Sequence, residues 1–280
     1  MTAAILTAAL TGPMATKADN PNLPTSPEEI AADAEAAYAA GASIIHVHLR
    51  DAEQRPTADL DIARRTIALI QERCGALVQL STGVGFGVPF EDRAALVELR
   101  PPMATLNVCS MTFADGEFLN PPDRVRALAN RMRQLGVKPE LELYDTGHLD
   151  VALALHREGL LVEPLQFSIV LGVRGGMAAT ADNLMHFVRR MPPGSIWQVI
   201  AIGRAHLPLT TVGLALGANA RTGMEDTLMV RAGVPTSGNT ELVNRMANVT
   251  RALDRELASV AETRERLGLD AASGPGTNPS

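Results

Sequence analysis

The chain has 280 residues, 46% of them hydrophobic and 20% charged, enough to bury a sizeable core and in keeping with a soluble enzyme. Its 25 basic and 31 acidic residues leave a formal charge of −6, which argues against a general nucleic-acid binder, although local basic clusters can still hold phosphates. Cys74 and Cys109 are its only cysteines and form no CxxC, which argues against a disulfide framework and for a reducing, cytoplasmic compartment. Met1-Thr2-Ala3-Ala4-Ile5-Leu6 lacks the basic flank of a signal peptide, and no apolar run is long enough to span a bilayer.

Ala3 to Leu10 reads as a first strand, ended by Thr11-Gly12-Pro13. Ser26-Pro27-Glu28-Glu29 then marks a helix start, with Ser26 as N-cap, Pro27 as first helical residue and Glu29 as partner in a capping box. The alanine-rich helix stops at Gly41, and Ala42 to Leu49 is β-branched and apolar enough for a buried strand. The alternation continues with a helix over Leu60–Arg73, a strand over Leu77–Ser81, a helix over Glu91–Leu99 and a strand over Ala104–Val108. Next come helix Pro122–Leu135, strand Lys138–Leu143, helix Gly147–Glu158 and strand Leu165–Leu171. Asp182–Met191 is a helix, Ile196–Ile202 a strand, Pro208–Leu216 a helix and Ala218–Arg221 a last short strand. Two closing helices follow, over Glu241–Leu253 and Arg255–Leu267, and residues 271–280 read as a flexible C-terminal tail.

About eight β/α units in series predict a TIM (β/α)8 barrel with additional C-terminal helices, as one catalytic domain over residues 1–270. An open doubly wound sheet is the competing architecture, but no GxGxxG follows the first strand. In a barrel the active site lies at the C-terminal strand ends. His46 and His48 share one face of the second strand, where two buried imidazoles need hydrogen-bond partners or a metal, and zinc suits them. Ser81 and Thr82 follow the third strand, Thr105 and Asn107 lie on the fourth, and Glu142 shares a face of the fifth with Glu140. Ser81-Thr82-Gly83 also suits plain turn chemistry, whereas a carboxylate facing the lumen is costly unless paired. Arg221, Glu225 and Asp226 follow the last strand and offer a third metal ligand and an acid/base pair, or else a solvated loop.

These stretches, taken together, resemble the β-keto acid cleavage enzyme family, typified by 3-keto-5-aminohexanoate cleavage enzyme. The resemblance runs from Leu6-Thr7-Ala8-Ala9 to the helical end. It rests on His46-Val47-His48-Leu49-Arg50-Asp51, Gln79-Leu80-Ser81-Thr82-Gly83, Lys138-Pro139-Glu140-Leu141-Glu142 and Arg221-Thr222-Gly223-Met224-Glu225-Asp226. It implies a zinc-dependent, homotetrameric barrel that converts a β-keto acid and acetyl-CoA to acetoacetate and a new acyl-CoA. It further implies His46, His48 and Glu225 as metal ligands and Asp226, paired with Arg221, as acid/base. Ser81, Thr82, Thr105, Asn107 and Glu142 fall to the substrate pocket.

Two positions depart from that pattern. Met14 stands where the aminohexanoate enzyme has a glutamate, so a neutral, apolar β-keto acid is expected in place of a cationic one. Thr227 stands where the family often has asparagine, which puts the support behind the metal site in question. A zinc hydrolase or lyase that does not use acetyl-CoA, and a catalytically silent binding barrel, are the alternatives.

Overall fold

A computed structural model describes residues 2–270; the expected tail at 271–280 lies outside the described residues. In chain order the strands are β1 (Leu6–Ala9), β2 (Ile44–Val47), β3 (Leu77–Leu80), β4 (Met103–Asn107), a hairpin of β5 (Met111–Phe113) and β6 (Gly116–Phe118), β7 (Lys138–Leu143), β8 (Gln166–Leu171), β9 (Ile196–Ala201), β10 (Asn219–Thr222), and a hairpin of β11 (Met229–Arg231) and β12 (Val234–Pro235). The helices are α1 (Pro27–Ala39), α2 (Leu60–Arg73), α3 (Phe90–Ala95), α4 (Pro122–Leu135), α5 (Thr146–Arg157), α6 (Ala181–Val188), α7 (His206–Ala215), α8 (Asn239–Ala252) and α9 (Val260–Leu267).

Strands β1, β2, β3, β4, β7, β8, β9 and β10 pair in parallel and close a barrel, with β10 returning to β1. This is the TIM barrel the alternation predicts. Period-two alternation sorts the side chains. Ala104, Leu106 and Val108 point outward with Leu141, Leu143, Phe167 and Ile169, packing on Leu128, Met132, Leu149 and Leu155 of the helical ring. The intervening residues face the lumen. At the bottom these are Ile5, Ile44, Leu77 and Met103, which Ala258 and Leu267 cover from the chain's closing segment. The lumen is therefore dry at its N-terminal end and polar above.

Local signals behave as their chemistry dictates. Ser26 and Glu29 form the expected capping box, worth about 1 kcal/mol. The turn into β2 passes through Gly41 at φ +113°, where an added Cβ would lie 2.5 Å from Leu257 Cδ1.

Several boundaries differ from expectation by a few residues, among them the start of β1, the end of α6 and the start of α7. Strand β2 ends at Val47, so His48 stands one residue beyond the ladder, still buried. The helix expected over Glu91–Leu99 tightens to a 3-10 turn after Ala95. The last helix begins at Val260 instead of Arg255, because Ala4 binds Glu256 through its backbone and Ser259 supplies the cap. The strand–helix alternation has no place for either hairpin. Ala114 and Asp115 make the two-residue turn and Gly116 opens β6, so an Asp-Gly pair between alternating residues is the hairpin signal that marks β5–β6. Among the described residues, no helix is long and apolar enough to cross a membrane.

Candidate active site

The upper lumen gathers charge from the ends of three strands, β2, β7 and β10. His46 Nε2 lies 3.2 Å from Glu225 Oε2, and His48 Nε2 lies 3.5 Å from Glu225 Oε1. The ring centroids are 5.3 Å apart, and one ligand atom from each of the three residues falls within 4.8 Å of the others. His46 Nε2 and Glu225 Oε2 are buried without a hydrogen-bond partner. A cation seated between these atoms would satisfy both. Two imidazoles and a carboxylate are a donor set that zinc accepts, with coordination positions left for a substrate. Behind the cluster, His46 Nδ1 sits 2.7 Å from Gln79 Oε1. Thr227 turns its hydroxyl to the Met229 carbonyl, so the support behind His46 comes from Gln79, and His48 Nδ1 is buried without a partner.

Arg221 is wholly buried and serves three carboxylates. Its Nε and Nη2 donate to Asp226 at 3.0 and 2.9 Å, Nη2 donates also to Glu225 Oε1 at 2.5 Å, and Nη1 stands 3.8 Å from Glu142. Burial alone would lower the guanidinium's pKa, but Asp226 and Glu225 outweigh it and hold the value well above the ordinary one. Burial likewise pushes Glu225 upward, yet Arg221, His46 and His48 together hold it well below the carboxylate range. Glu142 has weaker company, with Tyr144 Oη donating at 3.2 Å. Its pKa is raised, because burial outweighs the pull of Arg221 and His46.

The remaining residues picked out in the sequence divide by what their polar atoms already hold. Thr82 is committed, its amide bound to Thr105 Oγ1 at 3.0 Å and its hydroxyl to the Thr105 carbonyl at 2.8 Å. Ser81 Oγ accepts from the Gly83 amide at 3.2 Å and keeps its own hydrogen. Both amide atoms of buried Asn107 lack partners. Met14 is half-exposed on the loop after β1, which Arg50 fastens by donating to the carbonyls of Gly12 and Ala15.

Above this floor opens a cleft of about 830 Å³, lined by Met14, Phe113, Tyr144, Val170, Ile200 and the Arg221–Asp226 pair. A neighbouring pocket of about 460 Å³ adds Phe86 and Phe118 and reaches His48 and Ser81. Phe113 is the centre of the aromatic wall, with ring centroids 6.0 Å from Phe86, 6.2 Å from Phe118 and 5.8 Å from Tyr144.

The family model for beta-keto acid cleavage enzyme matches residues 3–269. The chain belongs to this family. A 3-keto-5-aminohexanoate cleavage enzyme of Fusobacterium nucleatum subsp. nucleatum is 37% identical over 267 residues, covering 95% of this chain and 97% of that protein. A 3-oxoadipate:acetyl-CoA acetyltransferase of Cupriavidus necator is 32% identical over 279 residues, covering 98% of each. Among solved structures, a ternary complex of ObcA with C4-CoA adduct and oxalate superposes with a TM-score of 0.77 at 24% identity. It covers 89% of this chain and 68% of its own, and shares the fold.

Within this family member, the motif residues converge at one end of the barrel. The aromatic wall was not among the residues the motifs marked, and Gln79 stood in one of them without a role. The hairpin turn would have pointed to Phe113 and Phe118. Gln79 carries only the weak signal of a polar residue inside an apolar strand.

Proposed function

We propose that this chain exchanges acyl groups between a β-keto acid with an apolar side chain and acetyl-CoA, giving acetoacetate and a new acyl-CoA. The observation that carries the reading is the paired arrangement at the cleft floor. His46, His48 and Glu225 leave donor atoms unpartnered, and the Arg221–Asp226 pair lines the same cleft. Held by those three ligands, a divalent metal, zinc by its affinity for imidazole, would polarise the substrate's ketone oxygen and favour the enolate.

The chain's own residues supply the rest. Arg221 grips Asp226 through both oxygens, which fixes the carboxylate's direction while leaving each oxygen a lone pair. Asp226 takes the C2 proton of the β-keto acid. The C2 carbanion equivalent attacks the thioester carbon of acetyl-CoA and expels the CoA thiolate. That thiolate adds to the original C3 ketone, the C2–C3 bond breaks, and the acyl group leaves as its CoA ester. The acetoacetate carbanion then recovers the proton from Asp226. Ser81 and Asn107 have hydrogen-bonding capacity to spare and hold the substrate carboxylate, Thr105 and Glu142 complete the pocket, and Thr82 fixes Thr105.

The apolar substrate rests on the wall opposite. Met14, Phe86, Phe113 and Phe118 offer no charge to an ammonium or a second carboxylate, and Arg174 at the mouth is paired with Asp115. The family resemblance extends the proposal to a homotetramer, which light scattering checks.

Zinc-loaded protein should release acetoacetate only when acetyl-CoA is present, fastest with alkyl β-keto acids and slower with hydroxyl, carboxyl and amino ones. Asp226→Asn should lower that rate by about 10²–10⁴-fold. Product without acetyl-CoA, or none across the panel, would refute the reading; faster turnover of the amino compound would refute the apolar preference alone.

A further inference from the structure

Below the candidate ligands lies a second polar layer that none of the steps above uses. Glu140 of β7 is fully buried at its centre. Gln79 of β3 and Gln166 of β8 each approach its Oε2 through Nε2 at 2.8 Å. Ser168 Oγ reaches its Oε1 at 2.7 Å, and Gln198 Nε2 of β9 reaches the same atom at 3.2 Å. Thr7 of β1 closes the ring by donating to Gln198 Oε1 at 3.3 Å.

The directions in this ring are forced. A carboxylate accepts and does not donate, and its two oxygens together take about four bonds, the number Glu140 is given. Gln79 must therefore turn its amide nitrogen down to Glu140. Its amide oxygen then points up, at His46 Nδ1. An amide oxygen accepts only, so the hydrogen between them belongs to Nδ1. This assigns an amide orientation and an imidazole tautomer that heavy-atom positions alone leave open. The remaining nitrogen, His46 Nε2, faces Glu225 Oε2 at 3.2 Å and is the one that can offer a lone pair to a cation. Without Glu140, Gln79 could rotate its amide and donate to Nδ1, which would move the ring hydrogen to Nε2 and block that atom.

We infer that Glu140 is a positioning residue for the metal site: acting through Gln79, it locks His46 in the Nδ1–H tautomer and so keeps Nε2 free for a divalent cation. The inference rests on the ligand set of the proposed function but is separable from it, because the Nδ1 contact with Gln79 exists in metal-free protein. Its carriers are two links, Glu140 to Gln79 and Gln79 to His46, each with one allowed donor direction. The support of a ligating histidine by a hydrogen-bonded partner is general; here the direction is imposed one residue further back, from a different strand.

The test is long-range proton–nitrogen correlation on metal-free protein with labelled histidine, together with zinc affinity by chelator competition. Wild type should show a hydrogen on His46 Nδ1, whatever the state of Nε2 beside Glu225. Glu140→Gln, whose amide can donate to Gln79 Oε1 and release the flip, should show mixed or inverted nitrogen signals and bind zinc about 10- to 100-fold more weakly. Ser168→Ala, which takes one donor from the other Glu140 oxygen, should keep the wild-type tautomer and affinity. Should Glu140→Gln not fold, Gln79→Met removes the acceptor directly and is expected to show the same two changes. Wild-type nitrogen signals and zinc affinity in whichever of these variants folds would overturn the inference. Weak zinc binding by wild type with an Nδ1–H tautomer that Glu140→Gln abolishes would support the relay while sinking the metal reading.

Discussion

Glu140 and Glu142 stand two residues apart on one strand and face the same lumen, yet their surroundings differ at every point. Glu140 is met by four donors and lies beneath the cleft. Glu142 has one hydroxyl and a guanidinium at 3.8 Å, and it lines the cleft. A satisfied buried carboxylate braces a barrel, because its four bonds tie β3, β8 and β9 to β7. An under-satisfied one above it remains free to meet a ligand, and its raised pKa records the cost of that freedom. Burial alone does not separate structure from function here; the count of partners does.

Breaking the lower carboxylate should have the largest effect. Glu140→Ala strands several buried donors at once and is expected to cost about 3–5 kcal/mol of stability in urea unfolding. A loss under 1 kcal/mol would mean that water or rotation rescues those donors and that the two glutamates differ less than their geometry implies.

Glu142→Gln should do the reverse. Stability is expected to stay within about 1 kcal/mol of wild type or rise, since a neutral amide replaces a poorly paired acid. Acetoacetate formation should fall by about 10²-fold. Full activity would remove Glu142 from the pocket chemistry.

The smallest effect sharpens the same contrast through pH. Because burial raises Glu142 in the fold above its ordinary 4.5, the folded state holds that proton more tightly than the unfolded chain. The resulting stabilisation is complete below pH 4.5 and is lost as pH climbs through the folded value. Metal-free wild type should therefore lose stability across that interval more steeply than Glu142→Gln, as denaturant unfolding at successive pH values would show. Parallel profiles would assign the slope to other groups.

Much of this was legible in the sequence. The period-two and helical patterns, with Ser26-Pro27-Glu28-Glu29 and the closing glycines, predict nearly every β/α unit, because local capping and burial set those elements. His46 and His48 on one strand face, and Arg221, Glu225 and Asp226 just past the last strand, already mark the end of the barrel where chemistry belongs. The β5–β6 hairpin was missed because a scheme of alternating strands and helices has no slot for it, and with it went Phe113 and Phe118 as pocket walls. Nor does the sequence tell Thr82 from Ser81. Both are small hydroxyls after β3, and only their partners show one committed and the other open.

The amino-acid order by itself determined the barrel and the residues that meet at its mouth, since strand alternation and parallel closure leave one way to bring them together. The tertiary structure alone decided which of them are satisfied. Gln79 and Glu140 are 61 positions apart, and Arg221 reaches back to Glu142 from the far side of the closed sheet. Hydrogen-bond direction and partner count depend on distances of a few ångströms across the lumen, and those distances exist only once the barrel has closed.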